Sequence, residues 1–214
     1  MKKTGAGKGR RAASAKGRRV ASPKADAILE GAMREFLAHG YAATSMDRVA
    51  AAAGVSKATV YSHFRDKEGL FNALVEHLAG ERFRGVFAAL GAGRGRERAE
   101  AALRRLALSL LEIPLKDEHF LSFMRLIVGE SGRFPELARA YVGHIAKPVI
   151  ENLSRYLKSR PELRLRDPEA TARVFVGTLV YFVIVQEALH GKKLLPMKRE
   201  RLVGNLVSLI IGGG

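Results

Sequence analysis

The sequence has no cysteine in its 214 residues. That excludes disulfides and thiolate metal sites, and makes the reducing cytoplasm the expected compartment. Long apolar runs are also missing. The most apolar stretch, VFVGTLVYFVIV from Val174 to Val185, is twelve residues long, short of the roughly twenty that span a bilayer. Period-two alternation is sustained nowhere, so no sheet is expected. The six histidines form no His-x-x-x-His pair and there is no Gly-x-Ser-x-Gly elbow, so zinc-hydrolase and serine-hydrolase chemistry lack their constellations. No catalytic residue, cofactor or metal is expected. Glu118, His119 and Glu130 could meet around a divalent ion, but read better as surface or pocket-lining polar groups. Acids are absent from the first 24 residues, which hold nine Lys and Arg within a chain of formal net charge +16.

An excess of positive charge on this scale points to a polyanionic partner. Residues 1–22 are mostly Gly, Ala, Ser, Lys and Arg, with almost nothing to bury, and read as a disordered basic arm. Arg18 and Arg19 lie nearest the first helix and are the arm residues placed to reach DNA; a solvated solubility tail is the alternative. The arm lacks the apolar core of a secretory signal, although its Arg-rich, acid-free composition is shared with transit peptides. GAGKGR at Gly5 to Arg10 has no strand before it and no Ser or Thr after Lys8, so it does not read as a phosphate-binding loop.

Helical periodicity begins after Pro23, a natural first helical residue. Ile28, Leu29, Ala32, Met33, Phe36 and Leu37 make one stripe over Ala25 to His39, and Gly40 ends it. Two short helical patterns separated by a tight turn follow between Thr44 and Lys67. Thr44 or Ser45 caps the first, in which Met46, Val49, Ala50 and Ala53 recur, with Ala50 small where helices cross. Gly54 makes the turn, Val55 plugs it, and Ser56 caps a second pattern carrying Thr59, Val60, Tyr61 and Phe64. This is helix-turn-helix grammar, in which the second helix enters the DNA major groove. Asp66 caps a fourth helix from Lys67 to about Ala89, and GAGRGRER at Gly91 to Arg98 reads as a loop.

Beyond it every segment reads helical, at about 97–112, 117–130, 134–159, 168–190 and 197–211, with a break at Ile113-Pro114. The fold class is all-α. After the arm (1–22) come a three-helix DNA-binding head (23–68) and a helical dimerisation body (69–214). A helix apolar on all faces belongs in a deep core or an interface. Val174, Tyr181 and Val185, with Leu202, Leu206, Val207 and Ile210 on the last helix, are the residues expected to pair with a second copy as a four-helix interface. Phe120, Phe123, Met124, Ile127 and Tyr141, with Phe175, Leu179 and Phe182, supply the apolar surface for a ligand pocket, or else ordinary core.

The run AILEGAMREFLAHGYAATSMDRVAAAAGVSKATVYSHFRDKEGLF, Ala27 to Phe71, resembles the N-terminal domain of the tetracycline-repressor (TetR) family of bacterial regulators. The resemblance implies an all-helical homodimer with two DNA-reading heads and a ligand-binding body (69–214), a double-stranded palindromic operator and a small-molecule effector. Carried over, it places Thr44 and Ser45 at the entry to the second helix, Thr44 on phosphate. Ser56, Lys57 and Thr59 fall where base edges are read, and Tyr61, His63 and Lys67 where phosphates are bound. Physically, Lys57 suits guanine O6 and N7, and Thr59 a thymine methyl. Ala58, where many members carry Gly or Pro, and Gly69 inside a helix are departures. MRLIVGESGRFPELARAY resembles a stretch of some family bodies and names no ligand. The resemblance implies an operator-specific regulator, most simply a repressor released by an apolar or amphipathic ligand. The alternative is a non-specific architectural DNA-binding protein that uses the arm.

Overall fold

The first helix among the described residues, α1 (Pro23–Ala43), starts where Ser22 accepts the Ala25 N–H at 3.1 Å and proline occupies the first turn. The computed structural model describes residues 22–92 and 97–212. The basic arm, with Arg18 and Arg19, lies outside the described residues. Gly40 has φ 76° and ψ 171°, a conformation open essentially to glycine, so the helical ladder breaks there and resumes for one short turn. Next come α2 (Met46–Ala52) and α3 (Lys57–His63), with Gly54 at φ 66° in the turn between them. Ser45, not Thr44, caps α2, and Ser56 caps α3.

The three helices close over Ile28, Phe36, Val49 and Val60, all fully buried, with Phe64 beneath the end of α3. Val55 sits only half-buried at the rim. Ala50 is buried, but the tightest crossing of α1 and α2 falls elsewhere. A Cβ on Gly31 would lie 2.9 Å from the Ala53 backbone nitrogen. Backbone cannot swing aside, so Gly31→Ala is expected to push the two helices apart. Denaturant titration should show a loss of about 1–3 kcal/mol, as overpacking does; an unchanged midpoint would contradict this close approach.

The fourth helix, α4 (Lys67–Arg82), is capped by Asp66 and ends seven residues before the expected Ala89; α5 (Arg84–Ala92) follows after Phe83. Tertiary contacts account for the early end. Arg82 turns to Asp117, with N–O distances of 2.5 and 2.7 Å, and the Phe83 ring packs 6.0 Å from Phe120. Asp117 also caps α7 by accepting the Phe120 N–H. Its burial favours protonation, but that bond and the Arg82 guanidinium outweigh it and hold its pKa below the usual carboxylate range.

The expected break at Ile113-Pro114 is not a break. The helix α6 (Ala99–Lys116) runs through Pro114, whose missing N–H falls in the last turn, and closes with Asp117 N–H on Ile113 O. Next come α7 (Glu118–Glu130), α8 (Pro135–Tyr141) and α9 (Lys147–Lys158), the last two joined through a π-turn at Val142–Ala146. The last pair is α10 (Pro168–Val183), prolonged by a π-turn over Ile184–Ala188, and α11 (Arg199–Gly212). No strand occurs among the described residues.

Two apolar cores result. One joins the head to α4, α7 and α8; the other packs α6, α9, α10 and α11. This division corrects part of the expected interface. Leu206, Val207 and Ile210 are buried within the single chain, Val207 to 1% exposure, because that stripe of α11 lies in the second core with Leu103 and Leu106 of α6. Leu202 and Val185 are half-buried, while Val174 and Tyr181 stand 61% and 63% exposed. The outward apolar residues of α11 are Leu209 and Ile211. The helix through Pro168–Ala188 spans 21 residues, more than the twelve-residue run suggests, and by length and composition alone could cross a bilayer. Its inner face (Ala172, Phe175, Leu179, Phe182) is packed in the second core.

Candidate nucleic-acid interface

The outer face of α3 begins with Ser56, whose hydroxyl accepts the Thr59 N–H at 3.1 Å and lies 2.8 Å from the Thr59 hydroxyl. Lys57 is exposed, its ammonium 2.9 Å from an Asp47 oxygen on α2 and 5.9 Å from the centre of the Tyr61 ring. The Asp47 bond and charge raise the Lys57 pKa, so this cation stays charged. A fully exposed ion pair is weak and screened by solvent, so a guanine edge or phosphate can displace Asp47 at little cost. Tyr61 is 47% exposed. Beneath this face Val60 and Phe64 point into the core, which turns Ser56, Lys57 and Tyr61 outward with Thr59 half-buried beside them. His63 is half-buried, its ring 6.1 Å from Phe64.

Two expected phosphate ligands are placed differently. Thr44 is 3% exposed, and its hydroxyl points back to the Glu35 and Gly40 carbonyls at 3.1 and 2.8 Å, closing the kinked end of α1. The Lys67 ammonium donates to the carbonyls of Tyr41, Thr44 and Ala42 at 2.7, 3.0 and 3.3 Å and sits 4.4 Å from the centre of the Tyr41 ring. Its three N–H groups are thereby engaged. Burial lowers its pKa, against the opposing pull of Glu130 and Glu136. Lys67 thus acts as a cap on α1. The reason is the end of α1 at Ala43, which leaves those carbonyls without ladder partners.

Tyr41 is the centre of this junction. It is nearly buried, with ring centroids 5.6 Å from Phe36, 5.5 Å from Phe71 and 5.0 Å from Phe134. Burial, then the charges of Glu136, Glu68 and Asp66, push its pKa up to about 12. Its backbone N–H, freed by the kink, donates to Glu130 Oε1 of α7 at 2.9 Å. Sequence reasoning misses Glu130 as a partner of the head. Gly40 announces an N–H in need of an acceptor, but nothing local names a residue 89 positions away. Also missed are Arg48 on α2, which bonds Glu35 and His39, and Arg65, exposed in the α3–α4 turn.

Comparison with known proteins agrees with this geometry. A family model for tetR-family bacterial regulatory proteins matches residues 28–74, and one for the C-terminal domain of AefR-like transcriptional repressors matches residues 101–211. The chain belongs to the TetR family of transcriptional regulators. Similarity to another helix-turn-helix regulator extends over nearly the whole chain: YhgD of Bacillus subtilis is 28% identical over 203 residues, covering 87% of this chain and 94% of YhgD. The structure of a TetR-family regulator from Mesorhizobium loti superposes with a TM-score of 0.76 at 25% identity, over 92% of this chain and 98% of that one. The flavonoid-responsive regulator FrrA superposes at 0.65 with 28% identity, over 89% and 96%. Like other TetR-family proteins, this one is a DNA-binding transcriptional regulator, all-helical, with a helix-turn-helix head and a helical body.

Within the TetR-family body, the residues expected to share one pocket are divided between the cores. Phe120, Phe123 and Ile127 are buried in the first, with Met124 and Tyr141 at its edge; Phe175, Leu179 and Phe182 are buried in the second. Phe87 and Val176, both partly buried, touch both cores and mark the seam. Open clefts lie elsewhere. One of about 550 Å³ lies between α4 and α8, beside Asp66, Glu68, Glu136 and Arg139, and one of about 320 Å³ lies between Arg82 and Arg105. Burial raises the pKa of Tyr141, keeping it a neutral donor. Among the described residues no three His, Asp or Glu groups converge as metal ligands; the Glu130 carboxylate is engaged by Tyr41 and His119 is exposed.

Proposed function

We propose that the protein is a cytoplasmic, homodimeric repressor that reads a palindromic operator with α3 and releases it when a small, mainly apolar effector binds the body. The observation that carries this reading is the outward face of α3, with Ser56, Lys57, Thr59 and Tyr61 presented on a head whose core is closed behind them. Lys57 and Thr59 read base edges. Ser45, Tyr61 and His63 lie around the phosphates, while Thr44 and Lys67 shape the head from within. FrrA is described as flavonoid-responsive, which supports an aromatic or similarly apolar effector here. Such a molecule would part the seam at Phe87 and Val176, beside Met124 and Tyr141, where apolar side chains are only partly buried and Met is adaptable.

Selection of bound fragments from genomic or random DNA tests the reading. One enriched two-fold-symmetric site is the expected result; an unenriched pool would favour the non-specific architectural alternative. On the selected site, Lys57→Ala should relax discrimination at one base pair per half-site by about 1–3 kcal/mol. Equal weakening on specific and random DNA would remove its base-reading role. The arm, with Arg18 and Arg19, adds phosphate or minor-groove contacts. Deleting residues 1–19 should preserve sequence preference and flatten the salt dependence, by about 0.9 in log–log slope for each phosphate the arm no longer neutralises. An unchanged slope would make the arm a solubility tail.

A further inference from the structure

Beyond the bonds that Lys67 of α4 makes to the end of α1, a single hydrogen bond among the described residues links the first three helices to the body, from Tyr41 N–H to Glu130 Oε1. The aromatic pairs that accompany it across the seam are apolar: Tyr41 on Phe134, and Phe71 on Phe123 through α4. Apolar faces slide against one another, whereas a hydrogen bond holds its partners in register to a few tenths of an ångström. The fit at this point is close, since a Cβ on Gly40 would come within 2.7 Å of the same Glu130 oxygen.

The same helix grips a second element. Arg125 donates to the carbonyls of Glu187 and Ala188 at 2.7 and 3.1 Å, closing the π-turn that prolongs α10. That turn begins at the exposed Ile184 and follows closely on the exposed Val180 and Tyr181 at the end of α10. Glu130 lies five positions after Arg125, about 7.5 Å along the helix axis. One short rod is therefore pinned at one place to the kink above the reading helices, and at another to the end of the dimer-forming helix. We infer that α7 is the strut that sets the distance between the two reading heads, with Glu130 as the positioning residue at the head end and Arg125 its counterpart at α10.

This rests on the dimeric, palindrome-reading function proposed above. Inserting or deleting one base pair between half-sites moves them by about 3.4 Å and turns them by about 34°, so a rigid strut makes the protein sensitive to spacing. The full-length protein would be titrated with its selected operator and with versions whose half-sites are one base pair closer or farther. Glu130→Gln retains a carbonyl oxygen at the right reach, and should bind and discriminate spacing as wild type does. Glu130→Asp keeps the charge but is one methylene short. It should bind the best operator about fivefold more weakly, the worth of one hydrogen bond, and should lose most of its discrimination between spacings. Random-DNA binding should be the same in all three proteins, and amide exchange at Tyr41 should quicken only in Glu130→Asp. The reverse pattern, with Gln impaired and Asp normal, would mean that charge acts at a distance and would overturn the strut. So would Glu130→Asp with wild-type spacing preference. A wild-type protein indifferent to spacing would instead overturn the two-headed reading itself.

Discussion

A Tyr181→Glu, Leu209→Glu variant is expected to sediment as a monomer and to lose nearly all operator binding. Both side chains are largely exposed in the single chain, at 63% and 74%, so the substitutions leave the two cores intact. With Val174, Val180, Ile184 and Ile211 they make an apolar surface on α10 and α11 of the kind that a soluble chain covers with a partner. In a two-fold dimer each substitution occurs twice. Every unpaired carboxylate enclosed there costs several kcal/mol, enough to dissociate the pair at micromolar concentration. A monomer holds DNA with one head and forfeits the second half-site. Val207→Glu is the informative control. At 1% exposure within the monomer, it should unfold the second core rather than merely part the subunits. If the double variant remains a dimer, or the wild type sediments as a monomer, the interface lies elsewhere or does not exist.

Phe71→Ala should be the most damaging single truncation where the head meets the body. Its ring is 1% exposed and lies 5.4 Å from Phe36, 5.5 Å from Tyr41 and 5.2 Å from Phe123. Truncating a fully enclosed Phe costs about 3–5 kcal/mol through the burial forgone and the cavity left behind. Here the cavity opens between α1, α4 and α7, so head and body are loosened together. Denaturant titration followed by both helicity and Tyr fluorescence should show the head melting ahead of the second core. A change under about 1 kcal/mol would mean that the site collapses around the gap, and that Phe71 does not join the two parts.

Local rules made the head readable. Ser45, Gly54, Ser56 and Asp66 each declare a cap or turn by their own chemistry, and each occupies that role in the structure. The period-3.6 stripes of α1 and α4 likewise mark faces that are buried. Readability fails where a residue's duty is assigned by something distant. Lys67 looks like a phosphate ligand until the end of α1 supplies three carbonyls for it. Leu206 and Val207 look like interface residues because a helical stripe says that it will be covered without saying by what; α6, from the same chain, covers them. The aromatic residues of α7 and α10 have the composition of a pocket lining, yet composition does not distinguish one shared cavity from two filled cores.

The placement of Tyr41 bears on how such proteins can be recombined. An exchange of DNA specificity by transplanting a foreign head would naturally be cut at the α3–α4 turn, where the chain is exposed. That cut would sever Lys67 from the carbonyls it caps, and Phe71 from the rings on either side of it. A graft extending through Phe71 keeps those neighbours together, but still arrives with a kinked backbone whose N–H needs an acceptor at Glu130 and a ring at Phe134. The exchangeable module is therefore residues 23–71 together with two recipient positions far along the chain. Compatibility between donor and host can be screened by reading only those sites.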